Sequence, residues 1–482
     1  MKIEDLQDAI GQLDDHVITE TARARRKKRP TLRFRVGAIA AAVAIIVTSF
    51  IVIQVIRRPG NSPASGVVAL AMPEYPIMHK CPSEDMLSGS ASDQEAFDKA
   101  NDAWYADLLK QRNQPEDYKD GVMALAREAN RLLLKGNGEN RIYSPINVYM
   151  ALSLLAETSG GDTRAELLQV LGVDTIEELR KKAGSLWNAH YLDDGQTTSL
   201  LANSIWLDES LAVKKDAMQV LQNTYKTAAF KGDMRSTAMT ERLQKWLNEQ
   251  TDNLLESSVD KAGFEEDTLM ALASTILFRA KWDDEFDESN TAKGTFNTLT
   301  GAVETDFMSD SGSNDYYWGD KFSAVGKHLI NAGSMWFFLP DEGISVDELL
   351  DDPQVNAILQ NSLTYENQKY LIVNFKVPKF DVMGEIKLEK TLQDLGIKAA
   401  FTAAADFSPI SKNAGLYVSD VTHAARVMID EKGVTGAAYT LSLFGMGAPP
   451  DEIVDFILDR PFLFVVQGHD GLPLFVGIVN QP

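Results

Sequence analysis

Apolar positions along the chain fall into three textures. Within the first eighteen residues, Ile3, Leu6, Ile10, Leu13 and Val17 recur at alternating spacings of three and four, which predicts a short amphipathic helix. Positions 36–56 then form an unbroken run of 21 uncharged, mostly apolar residues between Arg35 and Arg57. At ~1.5 Å per residue such a helix is roughly 31 Å long, the thickness of a hydrocarbon core. A signal-peptide core is shorter and lies close to a small-residue cleavage site, so the run predicts an uncleaved transmembrane anchor. Eight Lys and Arg lie in 23–35, and only Arg57 and Arg58 follow the run. This bias puts residues 1–35 in the cytoplasm and everything after residue 58 outside.

The second texture, 59–117, reads as an extracellular stalk. "RPGNSPASG" and "MLSGSASDQE" are rich in turn and linker residues, with one predicted helix at "DQEAFDKANDAWYADLLKQR". The third, 118–482, is uniform and reads as one domain. "GVMALAREANRLLL", "SPINVYMALSLLAE", "TRAELLQVLG" and "ERLQKWLNEQTDNLL" carry helical spacing, and Ser144-Pro145 has the form of an N-cap followed by proline at the first helical position. "SLLANSIWL" and "LMALASTILF" have the length and apolarity of buried central strands, and more strands follow toward the C-terminus. Helices first and strands later indicate an α+β fold. One stretch fits neither habit: "DEKGVTGAAYTLSLFGMGAPPDE", 430–452, holds no charge and no proline from Gly433 to Ala448 and is mostly small residues.

Charge narrows the partners. The net charge of -22 is uneven: residues 1–58 hold 11 Lys and Arg against 6 Asp and Glu. The acidic remainder is a poor match for nucleic acid, because neutralising phosphate takes clustered cations. A single cysteine, Cys81, excludes an intramolecular disulfide and leaves a bridge between two stalks or an idle thiol as alternatives. No N-x-S/T acceptor occurs in 59–482, which leans toward a bacterial protein. The six histidines show no metal-ligand spacing, and no nucleophile elbow or phosphate loop is present. His423, in an apolar segment, reads as a satisfied buried histidine. Neither an enzyme, a metal nor a cofactor is expected.

The ordered blocks of 118–482 resemble the serpins, the serine protease inhibitor family. "IYSPINVYMALSLLAETSGGDTRAELLQVLG" opens the likeness. "NSIWL", "LASTILFRAKW", "VPKF", "ADFSPIS", "LYVSDVTHAARVMIDEKG", "DRPFLF" and "LFVGIVNQP" continue it in order. The resemblance implies a fold of three β-sheets and about nine helices with an exposed reactive-centre loop. A target protease cleaves that loop, and the loop then inserts into the largest sheet and traps the acyl-enzyme. The 430–452 stretch is then a strand held in reserve. Its hinge begins at Glu431 and includes Gly433, Val434, Gly436, Ala438 and Thr440. Inserted as a strand, Val434, Gly436, Ala438, Thr440 and Ser442 would share the inward face, and all are small enough to pass between strands.

Val434 stands where many inhibitory members have Thr, and Gly436 and Tyr439 where they have Ala. The implied scissile bond joins Met446 to Gly447, with the bond between Gly447 and Ala448 as the alternative. No Lys or Arg lies between Lys432 and Arg460, so a trypsin-like target is a poor fit. An elastase-, chymotrypsin- or subtilisin-like protease suits the loop, and a papain-like cysteine protease stays open. By resemblance, Asn147, Ser274 and His423, with Ser144, form a buried network controlling sheet opening, and Trp282 stands where insertion starts. The expected partners are thus a serine protease and, through the N-terminal helix, a membrane; the body is a monomer. The alternative is a non-inhibitory binding or chaperone module on the cell surface.

Overall fold

The computed structural model describes residues 66–82, 86, 90–136, 138–253, 259, 262–264, 268–412, 416–418, 421–434 and 452–482. Segments 1–35 and 36–56 and the loop residues Gly436, Ala438, Thr440, Met446, Gly447 and Ala448 lie outside them. Among the described residues no helix is long and apolar enough to cross a membrane.

In chain order the body begins with β1 (Val68–Ala71), α1 (Ala91–Arg112), α2 (Asp120–Leu134), β2 (Arg141–Tyr143), α3 (Pro145–Thr158), α4 (Gly161–Val170) and α5 (Ile176–His190). Next come β3 (Leu192–Asp193), β4 (Thr198–Asp208), α6 (Lys215–Tyr225), β5 (Thr227–Gly232), α7 (Thr237–Thr251) and β6 (Met270–Lys281). Four strands follow: β7 (Ala292–Thr298), β8 (Gly301–Trp318), β9 (Phe322–Leu329) and β10 (Gly333–Pro340). After α8 (Pro353–Asn361) come β11 (Gln368–Pro378), β12 (Phe380–Lys387) and α9 (Glu389–Asp394). The chain closes with β13 (Thr422–Ile429), β14 (Gly433–Val434), β15 (Ile453–Ile457), β16 (Phe462–Gln467) and β17 (Pro473–Val479).

These strands make three sheets. The first runs β1-β5-β4-β6-β14, with β3 on β4. The second, of nine strands, runs β15-β11-β8-β9-β10-β16-β17-β2, with β7 on β8. The third is the pair β12-β13. The expected α+β mixture, with nine α-helices among the described residues, is what the chain forms.

Helix α3 sits at the centre. Ser144 caps it, its Oγ accepting from the Asn147 N–H at 3.3 Å, and Pro145 opens the first turn. Almost every α3 residue is buried, as expected for a helix apolar on all sides. It packs against β6 and β17 and so underlies both large sheets. Its buried Glu157 is held by a two-pronged pair with Arg180, 2.7 and 2.9 Å, and by the Tyr225 hydroxyl at 3.1 Å. These contacts satisfy a carboxylate that burial alone would strongly disfavour.

The segment expected to be a stalk is instead packed onto the body from residue 66 onward. Strand β1 pairs antiparallel with β5, Val68 opposite Lys231 and Ala69 opposite Phe230, and so closes one edge of the first sheet. Tyr75 stacks on Trp187 and Tyr191, ring centroids 5.7 and 5.9 Å away. The Tyr191 hydroxyl donates to the Pro76 carbonyl at 2.8 Å. The Cys81 N–H donates to the Asp194 carbonyl at 2.8 Å, and Trp104 Nε1 to the Asp194 carboxylate at 3.1 Å. Half-buried and flanked by Asp194, the Cys81 thiol is pushed up to about 11, first by burial, which makes it a poor nucleophile. The physical reason for the correction is that an edge strand and an aromatic stack need few apolar residues locally; their partners lie more than a hundred positions away.

Tyr75→Ala removes the ring packed against the stacked pair Trp187 and Tyr191 and should cost roughly 2–4 kcal/mol, a large aromatic truncation at a half-buried site. The midpoint of denaturant unfolding of the full chain measures it. An unattached stalk would leave that midpoint unchanged.

Candidate functional site

Strand β6 uses one edge fully, pairing with β4 from Arg279 opposite Thr198 to Met270 opposite Leu207. On its other edge, among the described residues, lies only β14, with Gly433 opposite Lys281 and Val434 opposite Ala280. Strand β13 pairs along its whole length with β12, Phe380 opposite Ile429 through Lys387 opposite Thr422. Strands β6 and β13 are not paired with each other. The chain leaves β13 through a tight turn in which the Asp430 N–H donates to the Gly433 carbonyl at 3.1 Å. Beyond the turn, β14 runs antiparallel to β6.

Three groups hold this turn. Trp282, fully buried at the end of β6, donates from Nε1 to the Asp430 carbonyl at 2.9 Å and from its backbone N–H to the Lys432 carbonyl at 3.2 Å. The Asp430 carboxylate accepts from the N–H groups of Lys432 and Gly433 at 2.9 and 3.1 Å. Glu431 points the other way, its Oε1 bound by Lys379 Nζ at 2.6 Å and Thr291 Oγ1 at 2.7 Å, while its carbonyl accepts from the Phe286 N–H at 2.9 Å. Burial alone would raise the Glu431 pKa; the hydrogen bonds from Lys379 and Thr291 outweigh it and hold the carboxyl below its usual range. Gly433 sits at φ +152, and a Cβ there would lie 2.4 Å from the Ala280 carbonyl oxygen and 2.6 Å from the Lys281 Cα. Only glycine allows that approach. Val434, next along, is buried in the main core.

Lower on the same strands, the expected four-residue network is divided. The Ser144 N–H donates to His423 Nε2 at 3.0 Å, so the imidazole is neutral and tethers β13 to the start of α3. The His423 ring meets Tyr143 edge-on at 6.5 Å. Ser274 turns away from it: its Oγ donates to Asn203 Oδ1 at 2.8 Å on the neighbouring strand β4. Asn203 Nδ2 in turn donates to the Tyr225 carbonyl at 2.8 Å. Asn147, buried, joins through its backbone N–H on Ser144. One polar group is therefore fixed to the β13 side and the other to the β4–β6 side.

Of the residues named from the sequence, the structure brings Glu431, Gly433, Val434 and Trp282 together at the turn and joins Ser144 to His423. Sequence reasoning missed Lys379, Thr291 and Asp430, which clamp the turn, and Asn203, the partner of Ser274. The "NSIWL" block carried Asn203 in plain sight, but only the strand register reveals what it faces.

A family model described as "Serpin (serine protease inhibitor)" matches residues 122–482. Among curated proteins, Serpin-ZX of Arabidopsis thaliana is 29% identical over 365 residues, 71% of this chain and 92% of that protein. Serpin-Z2B of Triticum aestivum is also 29% identical, over 71% of this chain and 90% of its own length. Among solved structures, the thermophilic serpin tengpin in its native state aligns with a TM-score of 0.66 at 25% identity, covering 76% of this chain and 94% of that one. Arabidopsis AtSerpin1, in a native stressed conformation, aligns at 0.64 and 25% identity over 78% of this chain and 98% of its own. The two curated plant serpins lend no support to a bacterial type.

Two outcomes follow from the geometry. Gly433→Ala should expel β14 from β6, costing on the order of 2–3 kcal/mol through backbone clash and strained φ, and hydrogen exchange at the Trp282 and Val434 amides should speed up accordingly. Burial pushes the His423 imidazole down to about 4. Unfolded, it regains a pKa of about 6.5, so between those values the unfolded chain binds more protons and stability falls as pH falls. From pH 7 to 4 the native chain should lose roughly 3 kcal/mol more than His423→Gln, read from unfolding free energies across that range.

Proposed function

This chain belongs to the serpin family, and on that footing we propose that it inhibits a serine-type endopeptidase as a suicide substrate. The observation that supports this reading most is β14: Gly433–Val434 lies along β6 at the place where β6 and β13 are unpaired. Strand addition at such an edge, with release of stored strain, is this family's established device. Alternation carries the argument into the loop. Val434 is buried, so a strand continuing from it turns Gly436, Ala438, Thr440 and Ser442 inward as well. Fourteen residues from Val434 to Gly447 would reach about 46 Å as a strand. None of them is proline, so each can donate an N–H to the ladder.

The bond cut in this reading joins Met446 to Gly447, with Gly447 to Ala448 as the alternative. The absence of Lys and Arg from 433–459 favours an elastase-, chymotrypsin- or subtilisin-like target over a trypsin-like one. We place the chain in a membrane through its 36–56 span, with the inhibitor domain outside.

The test mixes the full chain with chymotrypsin-like and elastase-like proteases. A band at the summed mass that survives SDS, with a released peptide beginning at Gly447 or Ala448, is the expected outcome. Cleavage without a covalent band and without a gain in thermal stability would overturn the inhibitor reading in favour of a binding module.

A further inference from the structure

The last residue of α5 and the tight turn between β16 and β17 lie far apart in sequence but meet at one point. There, His190, His469 and Asp470 each offer a ligand atom, and the three atoms lie within 4.8 Å of one another. We propose that these three residues form a binding site for a transition-metal ion of the Zn2+ class.

Four observations carry the assignment. The donor set, two imidazoles and one carboxylate, is that of zinc rather than of the hard cations Ca2+ or Mg2+, which take oxygen. His190 is buried, and its Nε2 makes no hydrogen bond: it stands 3.4 Å from Asp470 Oδ2 and has no other partner. A buried ring nitrogen whose one contact is this long carboxylate approach is poorly satisfied and leaves room for a ligand. Asp470 is positioned from outside the trio, since Tyr118 donates its hydroxyl to Oδ2 and the Leu472 N–H donates to Oδ1 at 3.1 Å. Such orienting bonds are typical of residues behind metal ligands. Finally, the turn is shaped for close approach: the Gly468 N–H donates to the Leu472 carbonyl at 2.8 Å, and a Cβ on Gly468 would come within 3.0 Å of the His190 ring.

The nearby cations are otherwise occupied. Lys119 donates to the Asp470 backbone carbonyl, and Arg112 donates to the Asn331 carbonyl at 3.0 Å. His469 and Asp470 are only partly buried, which leaves a side from which water could complete a fourth position. Histidine spacing gave no hint of this site because His190 and His469 are 279 positions apart. An ion here would tie the β16–β17 turn to the end of α5, adding a link between the second sheet and the helix that packs under the N-terminal segment.

The experiment strips the full chain with a chelator, returns Zn2+ or Co2+, and measures bound metal per chain by equilibrium dialysis. Binding of one Zn2+ per chain, visible bands of four-coordinate Co2+, and a saturable rise in thermal stability are expected. His190 is too buried for its loss to be separated from folding, so the decisive variants are His469→Ala and Asp470→Asn. Each should weaken binding by at least about 10–100-fold, and Tyr118→Phe by about tenfold. His79→Ala, which removes an exposed histidine paired with Asp107 at 2.8 Å, should leave binding intact. Absence of stoichiometric Zn2+ binding by the native chain would overturn the site. So would His469→Ala and Asp470→Asn binding as tightly as the native chain.

Discussion

A β-strand has two hydrogen-bonding edges, and the architecture of this body turns on how β6 uses its second one. The first edge is committed to β4 over ten opposed residues. The second holds two residues of β14, kept there by a turn whose every member is engaged: Asp430 by Trp282, Glu431 by Lys379 and Thr291, Gly433 by close contact with β6. An edge left without partners invites pairing with other chains. Here the start of that edge is taken by the chain's own β14, aligned by the turn.

The two sides of the site are anchored independently. The β13 side is fixed by eight opposed residues on β12 and by the neutral His423 on the cap of α3. The β6 side is fixed by β4 and by the chain of hydrogen bonds from Ser274 through Asn203 to the Tyr225 carbonyl. The polar groups of each side thus find their partners within that side, Ser144 with His423 and Ser274 with Asn203. The burial of His423 serves this division, because only an uncharged imidazole can accept from the Ser144 N–H.

Much of this was legible in the sequence where the signal is local. Ser144-Pro145 announced a helix start, and apolar runs announced β4 and β6. What stayed hidden depends on contacts across long separations. Ser274 has a hydroxyl with several conceivable partners, and only register gives it Asn203. The region rich in Gly, Ser and Pro before α1 conceals β1, because four residues suffice for an edge strand when β5 supplies the template. Tyr75 looks like any linker tyrosine until Trp187 and Tyr191 are brought beside it. His190 and His469 fail every spacing rule because their meeting is made by the fold alone.

Strand β1 also has a mechanical meaning. The chain enters the body at residue 66 and passes directly into β1, which is bound to β5 by three opposed pairs before the chain reaches α1. A pull on the polypeptide upstream of residue 66 is therefore carried first by those rungs, and β5 is joined through β4 to β6. Tension at the N-terminus is thus met first at β1, whose three rungs would yield before the load reached β4 and β6.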